Sequence, residues 1–208
     1  MTKAWIDISQ SLQNNHAEWP GDTPFTYEVA FKKENTGSVN IGKLTTSTHM
    51  GTHIDAPFHF ANEGEKVHEL PVDLYIGHAR VIDLTGVSKI GYAELVNVDF
   101  GGAERILFKT GKREDLTVFP ADFVTIQADL APLLKERGVR LIGIDSPSVD
   151  PEISKTLDAH HALYENNVMI LENIVLDEVE AGDYELIALP LKIDGADGSP
   201  VRAVIRPI

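Results

Sequence analysis

Short apolar runs, separated by polar, turn-rich stretches, recur along the whole chain. Where these runs alternate or are unbroken they predict strands, which we expect at residues 4–8, 25–32, 41–48, 79–84, 105–110, 139–144, 168–176, 184–191 and 201–205. Apolar residues at helical spacing predict short helices over residues 90–97, 128–137 and 157–163. Strands that alternate with helices, together with runs that could pair as hairpins, predict a mixed α/β domain.

One stretch concentrates titratable side chains among apolar neighbours. It runs from His49 to His59 and also contains His53 and Asp55. In a helix Asp55 would lie roughly 160° around the axis from His53, whereas in a strand all four side chains share one face. A straight strand still separates His49 from His53 by roughly 13 Å, so the chain has to bend to bring them together. Gly51 and Pro57 are suited to such bends, and we expect a short strand that runs into a bulged loop.

Composition narrows the class of protein and the metal chemistry open to it. A length of 208 residues predicts one domain over residues 1–208. The formal charge of 18 − 32 = −14 makes nucleic acid and anionic membrane poor partners. Because cysteine is absent, any metal has to be held by nitrogen and oxygen atoms. With neither a signal peptide nor an apolar run of roughly 20 residues, we expect a soluble cytoplasmic protein.

Two later segments supply candidates for the same chemistry. Glu172 interrupts the apolar run 168–176, where a buried carboxylate costs several kcal/mol unless it is paired or binds a metal. His160 and His161 lie on a predicted helix, about 100° apart around its axis, so one of them is expected to face a shared site. Spacing alone does not decide which one.

For five other polar or aromatic residues, the patterns favour a structural role. Trp19, held in a turn by Pro20 and Gly21, is by pattern alone most simply a core residue. Asp145 and Asp150 lie in a turn, and turn chemistry is sufficient to explain them. His68 and His78 are isolated in the sequence, which favours a solvated or hydrogen-bonded position for each.

Three histidines and two acids form a ligand set that suits zinc or manganese. A bridging aspartate would let His49, His53 and Asp55 hold one ion, and Asp55 with a remote histidine and Glu172 a second. Two ions roughly 3.5–4 Å apart can share a hydroxide and polarise a carbonyl group. His59, separate from the first ligands, is the candidate for proton transfer. Since the chain contains no G-x-S-x-G, H-E-x-x-H, P-loop or G-x-G-x-x-G motif, metal-dependent hydrolysis is favoured over scattered structural histidines.

The stretch from His49 to His59 also matches the H-x-G-T-H-x-D-A-P-x-H signature of the cyclase-like metal-dependent hydrolases. The chain resembles that family nearly from end to end, at residues 19–22, 141–145, 159–161, 171–173 and 197–208. The resemblance implies a compact α/β domain of the swivelling β/α/β type. Such a domain has mixed β-sheets, a small β-barrel-like centre and flanking helices, and commonly forms a homodimer.

For the site, the resemblance implies that His49, His53 and Asp55 hold a first zinc ion. Asp55 would bridge to a second zinc ion, held also by His160 and Glu172, with manganese as the alternative metal. In the same way, His59 would be the proton donor and acceptor. Trp19 would pack against an aromatic substrate and so becomes a candidate for substrate binding.

The activity that the resemblance implies is hydrolysis of a small aromatic formamide, N-formyl-L-kynurenine, to L-kynurenine and formate in tryptophan breakdown. The departing arylamine is a poor leaving group as an anion, so a histidine acid such as His59 is needed. Two alternatives stay open. One is a related hydrolase that acts on isatin or another cyclic amide, and the other is a non-catalytic metal-binding module.

Overall fold

A nine-stranded mixed sheet forms the centre of the protein, and two two-stranded sheets accompany it. The computed structural model describes residues 4–111 and 115–208. Its strands are β1 Ile6–Asp7, β2 Thr26–Phe31, β3 Ile41–Thr45, β4 His53–Asp55, β5 Ile76–Asp83, β6 Lys89–Ile90, β7 Arg105–Lys109, β8 Thr125–Ile126, β9 Leu141–Ile144, β10 Met169–Glu172, β11 Gly182–Ile187, β12 Gly198–Pro200 and β13 Val204–Pro207.

The helices are few and short. The α-helices are α1 Lys33–Thr36, α2 Tyr92–Leu95, α3 Ala131–Glu136 and α4 Asp158–Glu165. The 3-10 turns are Pro57–His59, Val67–Glu69, Val72–Tyr75 and Ala128–Leu130. The predicted helices over 90–97, 128–137 and 157–163 are therefore present with changed ends, and the second of them begins as a 3-10 turn.

The strand order of the large sheet is β1-β13-β11-β5-β7-β9-β10-β4-β12. The four central strands β5, β7, β9 and β10 pair in parallel. Every other pairing within this large sheet is antiparallel. These antiparallel pairs include β4 with β10 on one side and β4 with β12 on the other. The strand β4, which carries part of the signature, is thus held between two strands that come from the C-terminal third of the chain.

Each face of the sheet packs against its own buried cluster. Successive residues of a strand point to opposite faces, so Ile142 lies in one cluster and Leu141 in the other. The first cluster includes residues of α2, α3 and α4. The second joins Ile205, near one edge of the sheet, to Ile54, near the other, so the sheet curls around it. The curled mixed sheet confirms the α/β fold expected from the family resemblance.

The strands β2 and β3 form a hairpin outside this core. Among the residues that the structure describes they pair only with each other, and all their residues are exposed. The strand predicted over 41–48 ends at Thr45, so the expectation that it runs directly into His49 is wrong. Residues 46–52 instead form turns that carry the chain from the hairpin to β4.

The strand predicted over 168–176 is also shorter than expected, since it ends at Glu172. The next residue, Asn173, has a positive φ of 56°, which a strand does not tolerate. The amide N–H of Asn173 donates to the carbonyl of Ser146, and its own carbonyl accepts from the Thr52 hydroxyl at 2.6 Å. The chain therefore turns sharply at the point where it presents the Glu172 carboxylate.

Within the residues that the structure describes, no helix has the length and apolar character needed to cross a bilayer.

Candidate active site

Strand pairing brings the acid Glu172 to the signature. In the register of β4 and β10, Glu172 lies opposite His53. In the register of β4 and β12, Gly198 lies opposite Asp55. His53 and Asp55 are two residues apart in a strand, so their side chains share a face with that of Glu172. All three side chains are buried, with no more than 3% of each residue exposed.

The expected bends occur at Gly51 and Pro57. Gly51 has a positive φ of 61°, and Pro57 is the first residue of the 3-10 turn that ends at His59. The two bends bring the rings of His49 and His59 together, with 3.9 Å between their centroids. His49 Nδ1 lies 2.9 Å from Asp55 Oδ1. The predicted short strand and the bends at Gly51 and Pro57 are confirmed, and the loop that follows the strand is a 3-10 turn.

The start of α4 decides between the two adjacent histidines. Asp150 accepts the backbone N–H groups of Ala159 and His160, at 3.1 and 3.0 Å, and so caps the helix. The same carboxylate lies 2.7 Å from His160 Nδ1, which turns His160 Nε2 toward Asp55 Oδ2 at 3.4 Å. His160 is buried, whereas His161 is exposed. Asp150, for which the sequence favours a turn role, is thus also the partner of this imidazole.

Two groups of potential ligands share the Asp55 carboxylate. One consists of His49, His53 and Asp55, and the other of Asp55, His160 and Glu172. Within each group the ligand atoms lie within 4.8 Å of one another. A contact of 3.3 Å between His53 Nε2 and Glu172 Oε2 links the two groups. The two groups are thus continuous through Asp55 and through this contact.

One atom of this cluster shows directly that the residues fit a cation. Asp55 Oδ2 is fully buried and, among the described residues, no donor meets hydrogen-bond geometry with it, although His160 Nε2 lies 3.4 Å away. A buried carboxylate oxygen without a donor is costly. Nitrogen and oxygen ligands also suit a divalent transition metal. The cluster is therefore able to bind metal.

Charge compensation dominates the electrostatics of the site. Burial on its own would lower the pKa of His49, but hydrogen bonds to Asp197 and Asp55 outweigh it and raise that pKa to about 9. Contacts with carboxylates likewise overcome burial and raise the pKa values of His53 and His160 to about 10. The pKa of Asp55 lies well below its ordinary value despite burial, because these imidazoles surround it. Without a metal, protons on the histidines neutralise the acids.

His59 differs from the other histidines of the site. Burial lowers its pKa, and the opposing effect of the Asp55 charge is smaller. Its side chain keeps 34% of its exposure, and no described carboxylate approaches its ring within hydrogen-bond distance; the nearest, Asp197 Oδ2, lies 3.6 Å from Nδ1. His59 is therefore neutral at pH 7 and accessible from the cavity, as a proton-transfer group requires.

A cavity of about 410 Å³ borders the ligand cluster. Its lining includes His49, His53, His59, His160 and Glu172, and Trp19 lines it as well. The indole ring of Trp19 meets the ring of Phe119 edge to face, with 5.2 Å between the centroids. This volume lies within the range of sites for small molecules. Trp19 is thus part of the cavity wall and not a core residue.

Sequence patterns do not single out Asp197, yet it lies inside the site. Its Oδ2 is 3.1 Å from His49 Nε2 and 3.6 Å from His59 Nδ1. These three residues form a further group that could hold a cation. The family resemblance over residues 197–208 includes it without giving it a role, and an acidic residue in a glycine-rich turn is common at surfaces. Its meaning depends on the pairing of β12 with β4.

The remaining candidates lie elsewhere and have structural partners. Asp145 accepts hydrogen bonds from the hydroxyl and amide groups of Thr110. His68 pairs with Asp194 at 3.2 Å, and His78 with Asp183 at 2.8 Å. The structural interpretation of these three residues agrees with their contacts.

Fold and site together define a hydrolase of the cyclase type, and comparison with known proteins supports this class. The model of the family described as "Putative cyclase" matches residues 6–151, and the chain belongs to that family. The family resemblance drawn from the signature is therefore confirmed. The cluster able to bind metal agrees with metal dependence in this class.

Individual relatives are similar over their whole length. The chain is 58% identical over 207 residues to a kynurenine formamidase of Bacillus cereus, and the match spans 100% of this chain and 99% of that protein. It is 56% identical over 207 residues to the kynurenine formamidase of Bacillus anthracis, with the same coverage.

Among solved structures, a potential metal-dependent hydrolase with cyclase activity superposes with a TM-score of 0.83 at 25% identity, covering 97% of this chain and 96% of that one. Isatin hydrolase A from Labrenzia aggregata superposes with a TM-score of 0.82 at 22% identity, covering 98% and 93%. The second likeness concerns the fold alone.

The placement of the adjacent histidines makes a direct prediction. His160→Ala is expected to lose one metal ion per chain, because it removes a nitrogen that lies 3.4 Å from Asp55 Oδ2. His161→Ala, the matched control at an exposed position, is expected to keep the metal content of the parent protein. Elemental analysis of both purified variants measures this. Equal metal content in the two variants would contradict the assignment.

Proposed function

We propose that this protein is a metal-dependent amidohydrolase that converts N-formyl-L-kynurenine and water to L-kynurenine and formate in tryptophan degradation. The observation that carries the proposal is the pair of ligand groups that share Asp55 and whose other members, His49, His53, His160 and Glu172, line the cavity. Its full-length similarity to kynurenine formamidases supports the choice of substrate. A cytoplasmic location, expected from the sequence, stays a prediction.

The proposed ligands follow from the two groups. His49, His53 and Asp55 would hold one divalent ion, and Asp55, His160 and Glu172 a second. Zinc is the proposed metal, and manganese is the alternative with a similar preference for these ligands. When bound, such ions supply a hydroxide at neutral pH and polarise a carbonyl group. The histidine protons that neutralise the acids of the metal-free cluster would leave when a metal ion binds.

His59 is the proposed proton-transfer residue. Hydrolysis forms a bond between the formyl carbon and the oxygen from water, and it breaks the bond between that carbon and the aryl nitrogen. The nitrogen has to gain a proton as it departs, because an arylamine anion is a poor leaving group. His59, neutral at pH 7 and exposed to the cavity, can take the proton released by water and give it to the nitrogen.

Trp19 is the proposed residue for the aromatic part of the substrate. It lines the same cavity as four residues of the ligand cluster, His49, His53, His160 and Glu172. Its edge contact with Phe119 fixes the plane of the indole. A flat ring held in this way can pack against the aniline ring of the substrate. The formyl group would then point toward the ligands.

The choice of substrate is tested on metal-loaded protein with N-formyl-L-kynurenine and isatin side by side. We expect kcat/KM to be higher for N-formyl-L-kynurenine by at least about tenfold, measured from the release of L-kynurenine. Treatment with a chelator should abolish the activity, and zinc or manganese should restore it. Preference for isatin would favour the cyclic-amide alternative. Activity of metal-free protein would contradict the proposal, and absence of turnover with metal bound would favour a binding module.

The roles of His59 and Trp19 predict different kinetic effects. His59→Ala should lower kcat by about 10²- to 10⁴-fold, because the leaving nitrogen loses its proton donor, while the metal content stays unchanged. Trp19→Ala should mainly raise KM, by about 3- to 10-fold, because packing against the ring is lost. His68→Ala and Trp5→Ala, both at positions outside the cavity, are the matched controls. Full turnover in His59→Ala would make its assigned role wrong.

We further propose that the protein forms a homodimer through the hairpin β2–β3. In this hairpin Tyr27 pairs with Leu44, and Phe31 pairs with Ile41. Tyr27, Phe31 and Leu44 expose 52%, 58% and 57% of their surface. An isolated two-stranded hairpin is marginally stable in water, and a contiguous apolar patch favours association. A second copy of the chain would cover this surface.

The dimer is tested by the molar mass in solution. Analytical ultracentrifugation of the unmodified protein should give twice the 22.9 kDa mass of the chain. Replacing Tyr27, Phe31 and Leu44 together with serine should give the mass of one chain. Val72→Ser, which alters an apolar residue that is 65% exposed and outside the hairpin, should leave the dimer intact. A dimer that persists in the triple variant would place the interface elsewhere.

A further inference from the structure

The carboxylate of Asp197 occupies a position between two imidazoles of the site. Its Oδ2 lies 3.1 Å from Nε2 of His49 and 3.6 Å from Nδ1 of His59. Its Oδ1 accepts a hydrogen bond from the Thr48 hydroxyl at 2.8 Å. The carboxylate is thus held by one neighbour and faces a proposed ligand and the proposed proton-transfer residue at once.

The backbone around Asp197 is fixed just as closely. Its carbonyl accepts the amide N–H of Ala56 at 2.9 Å, directly beyond the ligand Asp55. The next residue, Gly198, pairs with Asp55 in the sheet. A methyl group added at Gly198 would lie 2.7 Å from Cε1 of His49, so glycine is needed for β12 to approach that ring. The contact between Asp197 and His49 therefore depends on a close approach of two strand segments.

We propose that Asp197 is a positioning residue that sets the tautomer and orientation of both His49 and His59. By accepting a hydrogen bond from Nε2–H of His49, it leaves Nδ1 of that ring with a lone pair. That nitrogen lies 2.9 Å from Asp55 Oδ1, so the two atoms can serve one cation. The inference rests on the proposed metal-dependent function.

The contact of Asp197 with His59 involves the other ring nitrogen, Nδ1, whereas its contact with His49 involves Nε2. Asp197 faces Nδ1 of His59, so a proton on Nδ1 would be directed at the carboxylate and Nε2 would be the nitrogen that exchanges protons. At 3.6 Å this contact is longer than a hydrogen bond, so Asp197 acts on His59 through the direction of its charge. In the proposal, one carboxylate makes the facing rings present opposite nitrogens, Nδ1 of His49 to the cation and Nε2 of His59 to the substrate.

A histidine that binds metal commonly donates its other ring N–H to a carboxylate, and loss of that partner costs about 10- to 100-fold in metal affinity or activity. Asp150 stands in this relation to His160, with 2.7 Å between Oδ2 and Nδ1. Asp197 supplies the corresponding partner for the other ligand group. It differs from Asp150 because it also reaches the proton-transfer residue, so its loss is expected to affect binding and turnover separately.

The test compares Asp197→Asn and Asp197→Ala with the unmodified protein. Zinc affinity is measured by competition with a chromogenic chelator, starting from protein freed of metal by dialysis. We expect affinity to fall by about 10- to 100-fold in Asp197→Ala and by less in Asp197→Asn, whose amide oxygen can still accept a hydrogen bond. At saturating zinc, kcat should still be lowered while KM changes little. Asp194→Asn, in the same loop with a side chain that is 98% exposed, is the matched control and should change none of these values.

A second readout is independent of activity. In the zinc-loaded protein labelled with ¹⁵N histidine, NMR should show His49 with its proton on Nε2, and Asp197→Ala should change the signals of both His49 and His59. Circular dichroism and thermal unfolding establish that the variants are folded.

Zinc affinity and histidine signals that are unchanged in both variants would overturn the proposal. Loss of a third bound ion would overturn it as well, because Asp197 would then be a ligand in the group with His49 and His59. Failure of the unmodified protein to hydrolyse N-formyl-L-kynurenine would count against the function, whereas the affinity and NMR measurements would still decide the role of Asp197.

Discussion

The burial of two carboxylates side by side is the constraint on which the site depends. Asp55 and Glu172 are each 2–3% exposed, and ions removed from water in this way are costly unless opposite charge is close. The imidazoles of His49, His53 and His160 surround these carboxylates. Contacts with the carboxylates raise the pKa values of the three histidines, so positive charge is favoured there. A bound divalent metal ion would supply the same positive charge as two protons, and protons would leave the histidines when it binds. The cluster is therefore poised between a protonated and a metal-bound state.

The curled sheet delivers these groups through strand register more than through loops. Since β4 is paired on both sides, His53 and Asp55 cannot move without disturbing β10 and β12. Under the proposed function, proton transfer and contact with substrate would be carried out by residues outside the paired strands, His59 in its 3-10 turn and Trp19 in the lining of the cavity. The proposed ligands would then be rigid and the proposed reacting groups more accessible, as expected of a metal-dependent hydrolase.

Much of the site is predictable from local sequence because its chemistry is unusual at each position. The spacing of His49, His53 and Asp55 excludes a helix and requires bends, and Glu172 is conspicuous within an apolar run. What could not be predicted depends on distant pairing. The choice of His160 over His161 requires the helix start that Asp150 caps, and Asp197 acquires its partners only when β12 docks on β4. The hairpin β2–β3 alternates like a core strand, but no local pattern shows that it projects away from the core.

The position of β4 in the sheet also bears on how the site assembles as the chain is made. Its two partners, β10 and β12, begin at Met169 and Gly198, more than a hundred residues after it. Contacts of such long sequence separation form late in folding, since the loop between them has to close first. A nascent chain that ends before β10 has the signature but neither of the strands that hold it in register. An incomplete chain therefore lacks Glu172 and the strand pairing that places it opposite His53.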